Sequence, residues 1–133
     1  MQIMPDKKAE CILVVDDSPD NLQLLQFILE DRGYRVGLAD NGEEALKKAE
    51  RCHPDLILLD VMMPQMNGYE VVHQLRENHN LESIPVFFVT ADLYIDQKKA
   101  IAAGANGLIH KPIDIEELLS EVELVFNSRE NLS

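Results

Sequence analysis

Leu56-Ile57-Leu58-Leu59 is an unbroken apolar run that stops abruptly on Asp60. A run this short, with no polar alternation, fits a strand covered on both faces, as strands of a parallel sheet are. Parallel neighbours require crossover connections, usually helical, so the run constrains far more of the chain than its own residues. It also leaves Asp60 at the carboxyl end of a strand, the edge at which open α/β sheets bind ligands. Asp is equally at home there as a turn or capping residue, so Asp60 by itself does not define a site.

The flanking sequence supplies the partners that such a strand needs. Cys11-Ile12-Leu13-Val14-Val15 is a second continuous apolar run, ending on Asp16-Asp17. Ser18-Pro19 then offers an N-cap and a proline for the first helical position, and Gly33 stops the helix after about Arg32. Tyr34, Val36 and Leu38 alternate with Arg35, Gly37 and Ala39, which predicts a half-exposed edge strand. Asn41-Gly42 opens a helix with Ala45, Leu46 and Ala49 on one face, and Asn67-Gly68 opens another with Val71, Val72 and Leu75. Val86-Phe87-Phe88-Val89 is a third buried-strand run, ending on Thr90-Ala91. Asp92 is expected to cap a fourth helix that Gly104 ends, and Gly107 to His110 to form the last strand, directly before Lys111-Pro112. Asp114 caps a final helix whose Leu118, Leu119, Val122, Val125 and Phe126 form a docking stripe. Residues 1–10 and 127–133 read as tails around a single unit at 11–126. Strands alternating with helices at this spacing predict an α/β fold: a doubly wound, five-stranded parallel sheet, order 2-1-3-4-5, with helices on both faces.

A length of 133 residues suits one core and leaves no room for a second domain. The formal charge of −12 argues against direct nucleic-acid binding and for attraction of cations. Cys11 and Cys52 have no metal-ligand spacing and are expected to be buried small hydrophobes in a reducing cytosol. No apolar stretch is long enough to span a membrane or serve as a secretory signal, so a cytoplasmic protein with no membrane partner is expected.

In this topology Asp16, Asp17, Asp60, Thr90 and Lys111 all fall at carboxyl strand ends on one edge. Crowded carboxylates repel, and the cluster makes chemical sense around a cation. Mg²⁺ fits best, because it takes oxygen ligands, keeps waters and shares its shell with phosphoryl groups. Lys111 can pair with Asp60 or with a phosphoryl oxygen, and Thr90 can donate a hydroxyl. The chemistry so indicated is attack by the Asp60 carboxylate on phosphorus to give an aspartyl phosphate, with Mg²⁺ and Lys111 offsetting charge on the transferred group. Each residue taken singly has a structural use; their joint placement on one edge does not arise from structural needs alone. His53, His73, His79 and His110 lack metal spacing, and Met62, Met63 and Met66 read as packing for the loop after Asp60. A flavin site is disfavoured because Asp16-Asp17 would repel its phosphate.

Val15-Asp16-Asp17-Ser18, Leu59-Asp60-Val61-Met62-Met63-Pro64 with Asn67-Gly68, Thr90-Ala91 and Lys111-Pro112 together resemble the receiver domain of two-component response regulators. The similarity covers roughly Cys11 to Phe126, and this family has the flavodoxin-like fold with the strand order above. The resemblance implies that Asp60 is the phosphoacceptor, that Asp17 and Asp60 ligate Mg²⁺ directly, that Asp16 acts through water, and that the Met62 backbone carbonyl completes the ligands. It implies a donor phosphohistidine on a histidine kinase or histidine phosphotransfer protein, and a downstream protein target. The chain would be no enzyme toward other substrates, catalysing only its own phosphorylation and dephosphorylation. Two alternatives remain, a phosphorylation-independent docking module and a phosphohydrolase, the latter disfavoured for want of a cap domain. On the first helix, Leu24 and Phe27 are surplus to one buried stripe and are expected to form the donor's docking surface. One position departs from the family pattern. Leu108 stands where many members carry the Tyr or Phe that moves with the threonine, so coupling to the last strand is expected to be weaker or to run through another residue such as Ile95 or His110.

Overall fold

A computed structural model describes residues 9–131 of the chain. Its strands are β1 (Cys11–Val15), β2 (Arg35–Ala39), β3 (Leu56–Leu59), β4 (Val86–Thr90) and β5 (Gly107–His110). They alternate with α1 (Pro19–Asp31), α2 (Gly42–Cys52), α3 (Gly68–Glu77), α4 (Gln97–Ala103) and α5 (Ile115–Asn131). All pairings are parallel, in the order β2-β1-β3-β4-β5. The order and the fold class are those expected from the sequence. Register decides where the loops emerge: Val15 pairs with Ala39 and Leu59, Leu59 with Phe88, and Thr90 with His110. The ends of β1, β2 and β3 are level while β4 and β5 run two residues further, and the residues that follow them share one edge.

The period of two along each strand divides the core into two layers. Ile57, Leu59 and Phe88 point into one cluster, roofed by Ala45 and Ala49 of α2, Val71, Val72 and Leu75 of α3, and Ala100 of α4. Leu56, Leu58 and Phe87 point into the other, covered by Leu22, Leu25 and Leu29 of α1 and Leu118, Val122 and Phe126 of α5. Burial of each such side chain contributes about 1.5–3 kcal/mol, which is why a strand as short as β3 holds its place. Truncating Phe88 to Ala would cost about 3–5 kcal/mol through the cavity left behind.

Local signals account for most helix ends. Ser18 accepts the Asn21 amide and Pro19 occupies the first turn of α1, while Asn67 and Glu70 close a reciprocal capping box on α3. Gly33 and Gly104 follow their helices at φ +90° and +107°, where a side chain would be strained. Glu117 donates its amide to the Asp114 carboxylate, as a cap at that position predicts.

Several expectations need correction. Asp92 does not cap α4; Asp96 does, accepting the Lys99 amide, and Asp92 instead accepts the Tyr94 amide within the preceding turn. Both aspartates suit a cap, but only the later one lies before uninterrupted helical backbone. Residues 127–131 continue α5, because Asn127-Ser128-Arg129-Glu130 contains no glycine or proline to stop it. Cys52 is exposed and Cys11 only half-buried, since one ends α2 and the other opens β1. Of the proposed tails, residues 1–8 and 132–133 lie outside the described residues.

Candidate functional site

Backbone hydrogen bonds fix the acidic edge before any side chain is considered. The Asp16 amide donates to the Ala39 carbonyl at 3.1 Å, and the Asp60 amide to the Val15 carbonyl at 2.9 Å, so both acids emerge from paired strands. The Lys111 amide donates to the Thr90 carbonyl at 2.8 Å and brings the lysine to the same edge. The turn after Asp60 is tight. Gly68 donates to the Val61 carbonyl at 2.9 Å, and a Cβ on Gly68 would stand 2.8 Å from Val61 Cα and 2.9 Å from the Asp60 carbonyl oxygen. The start of α3 is thereby pressed against the backbone that presents Asp60.

Asp16, Asp60 and Lys111 meet at this edge. Lys111 Nζ donates to Asp16 Oδ2 at 2.8 Å and to Asp60 Oδ2 at 3.3 Å, bridging acids from two strands. Asp16 and Asp60 are buried, at 2% and 5% exposure, whereas Asp17 is exposed. Asp60 Oδ1 accepts the Met62 amide at 3.0 Å, and Asp16 Oδ1 accepts the Ser18 amide at 2.9 Å. Thr90 is fully buried, and its Oγ1 accepts the Asp92 amide at 3.1 Å.

Burial pushes the Asp60 carboxyl above the usual range; the Met62 amide and the charge on Lys111 oppose this, and the charge on Asp16 adds to it. For Lys111, burial acts to lower the pKa, but the hydrogen bond to Asp16 and the charges of Asp60 and Asp16 outweigh it and raise the value. The edge therefore holds an ammonium bound firmly between acids, and a carboxylate that would gain from a second positive neighbour.

The donor set fits a hard divalent cation. One carboxylate oxygen from each of Asp16, Asp17 and Asp60 lies within 4.8 Å of the others, so one ion can reach all three. Among the described residues, this is the group that could hold a metal, and no histidine belongs to it. His53, His73 and His79 are exposed, and His110 turns its ring to the Ile95 carbonyl. Of the methionines after Asp60, Met63 is buried as expected and Met66 packs partly against the core, but Met62 is 59% exposed. Sequence reasoning missed Asn21, whose Nδ2 donates to Asp16 Oδ2 at 3.2 Å from the first turns of α1. An amide side chain five positions after Asp16 was the available signal, and it is a weak one.

The family model described as response regulator receiver domain matches residues 12–123. An uncharacterized 14.6 kDa protein from Leptolyngbya boryana is 42% identical over 113 residues, covering 84% of this chain and 86% of that protein. The alkaline phosphatase synthesis transcriptional regulatory protein PhoP of Bacillus subtilis is 42% identical over 90% of this chain, but the match spans only 49% of PhoP. Among solved structures, the receiver domain of a sensor histidine kinase from Pseudomonas aeruginosa PAO1 matches with TM-score 0.82 and 31% identity, over 90% of this chain and 99% of that one. That structure holds a magnesium ion coordinated in its active site cleft.

Proposed function

Because the chain belongs to the response regulator receiver domain family, we propose that it is a signalling switch phosphorylated on Asp60 by a phosphohistidine donor. The observation that carries this reading is the convergence of Asp16, Asp17 and Asp60 within 4.8 Å, with Lys111 bridging two of them. A purely structural ion pair would need one acid, not three.

Asp60 Oδ attacks phosphorus, the P–O bond forms as the donor's P–N bond breaks, and the departing imidazole takes up a proton. Asp60 is held ready by the Met62 amide, which fixes one oxygen and leaves the other beside Lys111. Lys111 exchanges the Asp60 oxygen for an oxygen of the transferred group while keeping Asp16. Thr90 supplies a hydroxyl donor from the adjacent strand end. Mg²⁺, bound by Asp16, Asp17 and Asp60 with the Met62 carbonyl completing the ligands, would offset charge on the phosphoryl oxygens. Asp17 and Asp60 would be direct ligands and Asp16 would act through water. The same machinery returns the acyl phosphate to carboxylate by hydrolysis, so the chain turns over only its own phosphate.

The donor, on a histidine kinase or phosphotransfer protein, meets α1, where Phe27 is 72% and Leu24 46% exposed beside the buried Leu22, Leu25 and Ile28. Charged substitutions at Leu24 and Phe27 should slow transfer from the protein donor but not from acetyl phosphate. Both reactants belong in the cytoplasm, where an exposed thiol such as Cys52 stays reduced. The decisive experiment is incubation with acetyl phosphate and Mg²⁺ followed by intact mass measurement. Addition of one phosphoryl group, lost on hydroxylamine treatment, is expected. No addition would favour a phosphorylation-independent docking module.

A further inference from the structure

The segment between β4 and α4 is tied at both ends to neighbouring strand termini. At its start, the Asp92 amide donates to Thr90 Oγ1 at 3.1 Å, and the Tyr94 amide then donates to Asp92 Oδ1 at 2.9 Å. At its end the Ile95 side chain is buried, at 3% exposure, and the Ile95 carbonyl lies 2.9 Å from His110 Nε2. A carbonyl can only accept, so the ring nitrogen must carry the proton and donate. Thr90 and His110 are register partners on β4 and β5, and the Lys111 amide on the Thr90 carbonyl locks them side by side. The two anchors of one six-residue turn, Ala91 to Asp96, thus stand next to each other at the phosphorylation edge. Between them Leu93 and Tyr94 project outward, 79% and 86% exposed.

We propose that His110 is the positioning residue that couples the Thr90 loop to β5, through the hydrogen bond its ring donates to the Ile95 carbonyl. The proposal rests on Asp60 being the phosphoacceptor. A phosphoryl group there presents oxygens to the Thr90 hydroxyl, and a hydroxyl turned to serve them no longer meets the Asp92 amide in its present alignment. The turn must then readjust, and its far end can move only by carrying His110 or by abandoning a half-buried carbonyl without a donor, which costs free energy. Leu108, on the same face of β5, offers no polar atom for this purpose. His110 therefore does with a hydrogen bond what Leu108 cannot do with its side chain.

The test follows the imidazole and backbone amide resonances of the full chain, with Mg²⁺ and with or without beryllofluoride as phosphoryl mimic. Intact mass after acetyl phosphate treatment is measured on the same preparations. The free protein should show His110 as the Nε2–H tautomer. On adding the mimic, its ring and the Ile95 and Asp96 amides should shift together. In His110→Phe the shifts at Leu108 and Ile109 should fall by about twofold or more, while those at Thr90 and Asp92 persist. His110→Gln, whose side-chain amide can donate to the same carbonyl, should restore them. If phosphate adds to Asp60 but the His110 ring stays still, or if His110→Phe leaves the β5 shifts intact, the coupling role is wrong while the receiver reading stands. If no phosphate adds and no resonance moves, the receiver reading fails and takes the coupling role with it. The wild-type ring measurement and the Gln variant decide the matter even if His110→Phe does not fold.

Discussion

Two of the places where the molecule takes charge partly out of water treat it in opposite ways. At the carboxyl edge of the sheet, two buried acids share a single lysine and an exposed third acid stands beside them. Between α3, α4 and β5, half-buried Arg76 donates instead to oxygens without formal charge. Its Nε reaches the Gly104 carbonyl at 3.0 Å, Nη1 reaches the Glu82 and Ile84 carbonyls at 2.9 and 2.8 Å, and Nη2 reaches Asn106 Oδ1 at 3.0 Å. The guanidinium fork thus ties together four partly buried or exposed oxygens from neighbouring segments. There the charge is incidental to geometry, and the site is complete as it stands. At the acidic edge the hydrogen bonds are also made, yet negative charge remains in excess, and the carboxylate oxygens lie close enough together to hold a cation. Complete hydrogen bonding with balanced demands marks a structural clasp; complete hydrogen bonding with leftover charge marks a place that expects a visitor.

Substitution should separate the two most sharply in phosphorylation. Asp60→Ala should abolish the hydroxylamine-labile mass increase altogether, whereas Arg76→Met should label like the parent; persistent label on Asp60→Ala would overturn the site. In stability the ranking should reverse. Arg76→Met strips donors from several carbonyls and should lower the unfolding free energy by about 2–3 kcal/mol in urea titration. A loss below about 0.5 kcal/mol would mean that water replaces the guanidinium and the clasp is dispensable.

Metal addition sharpens the contrast further. At ten times its dissociation constant, Mg²⁺ should stabilise the native chain by about 1.4 kcal/mol, through binding to the folded state alone. Chelation should reverse this, Asp17→Ala should remove most of it, and Arg76→Met should retain it.

The smallest effect concerns pH. Asp60 titrates above its ordinary 3.8, so its ionised form costs folding free energy at neutral pH, and that cost vanishes as pH falls through the folded pKa. Without Mg²⁺, Asp60→Asn should therefore be the more stable protein near pH 7, and the gap should close on acidification. Lys111 has the other sign of behaviour. Its raised pKa gives stability that is fully present below its ordinary 10.5 and lost as pH rises through the folded value. A melting temperature for Asp60→Asn below that of the parent at pH 7 would show that its carboxylate is net stabilising.

The acidic edge was legible in the sequence and the clasp was not, for a physical reason. Asp16, Asp60 and Thr90 each follow an apolar run directly, Lys111 follows the short final strand, and parallel strands bring the residues at their carboxyl ends to one edge without further information. Arg76 reads as one more charged residue on an amphipathic helix. Its acceptors are mostly backbone carbonyls from Glu82, Ile84 and Gly104, which any residue could provide. The same limit explains the α4 boundary. Asp92 and Asp96 are the same residue type before the same helix, and the choice between them is made by the turn that Thr90 and His110 anchor. Cys52 was misplaced because a helix's last residue can face either way, and its period alone leaves the frayed end undetermined.

The glycine at position 68 can be restated as a tolerance. With a Cβ only 2.8 Å from Val61 Cα and 2.9 Å from the Asp60 carbonyl, the clearance is negative for even a methyl group, and the obstacle is main chain rather than a side chain that could swing aside. A saturation library through residues 60–68 should therefore show two intolerant positions with different failure modes. Variants at Asp60 lose the carboxylate proposed to react but keep the scaffold. Variants at Gly68 keep every reactive group and displace the strand end that aims them, so an inactive Gly68 clone would pass for a chemical knockout until its structure was measured.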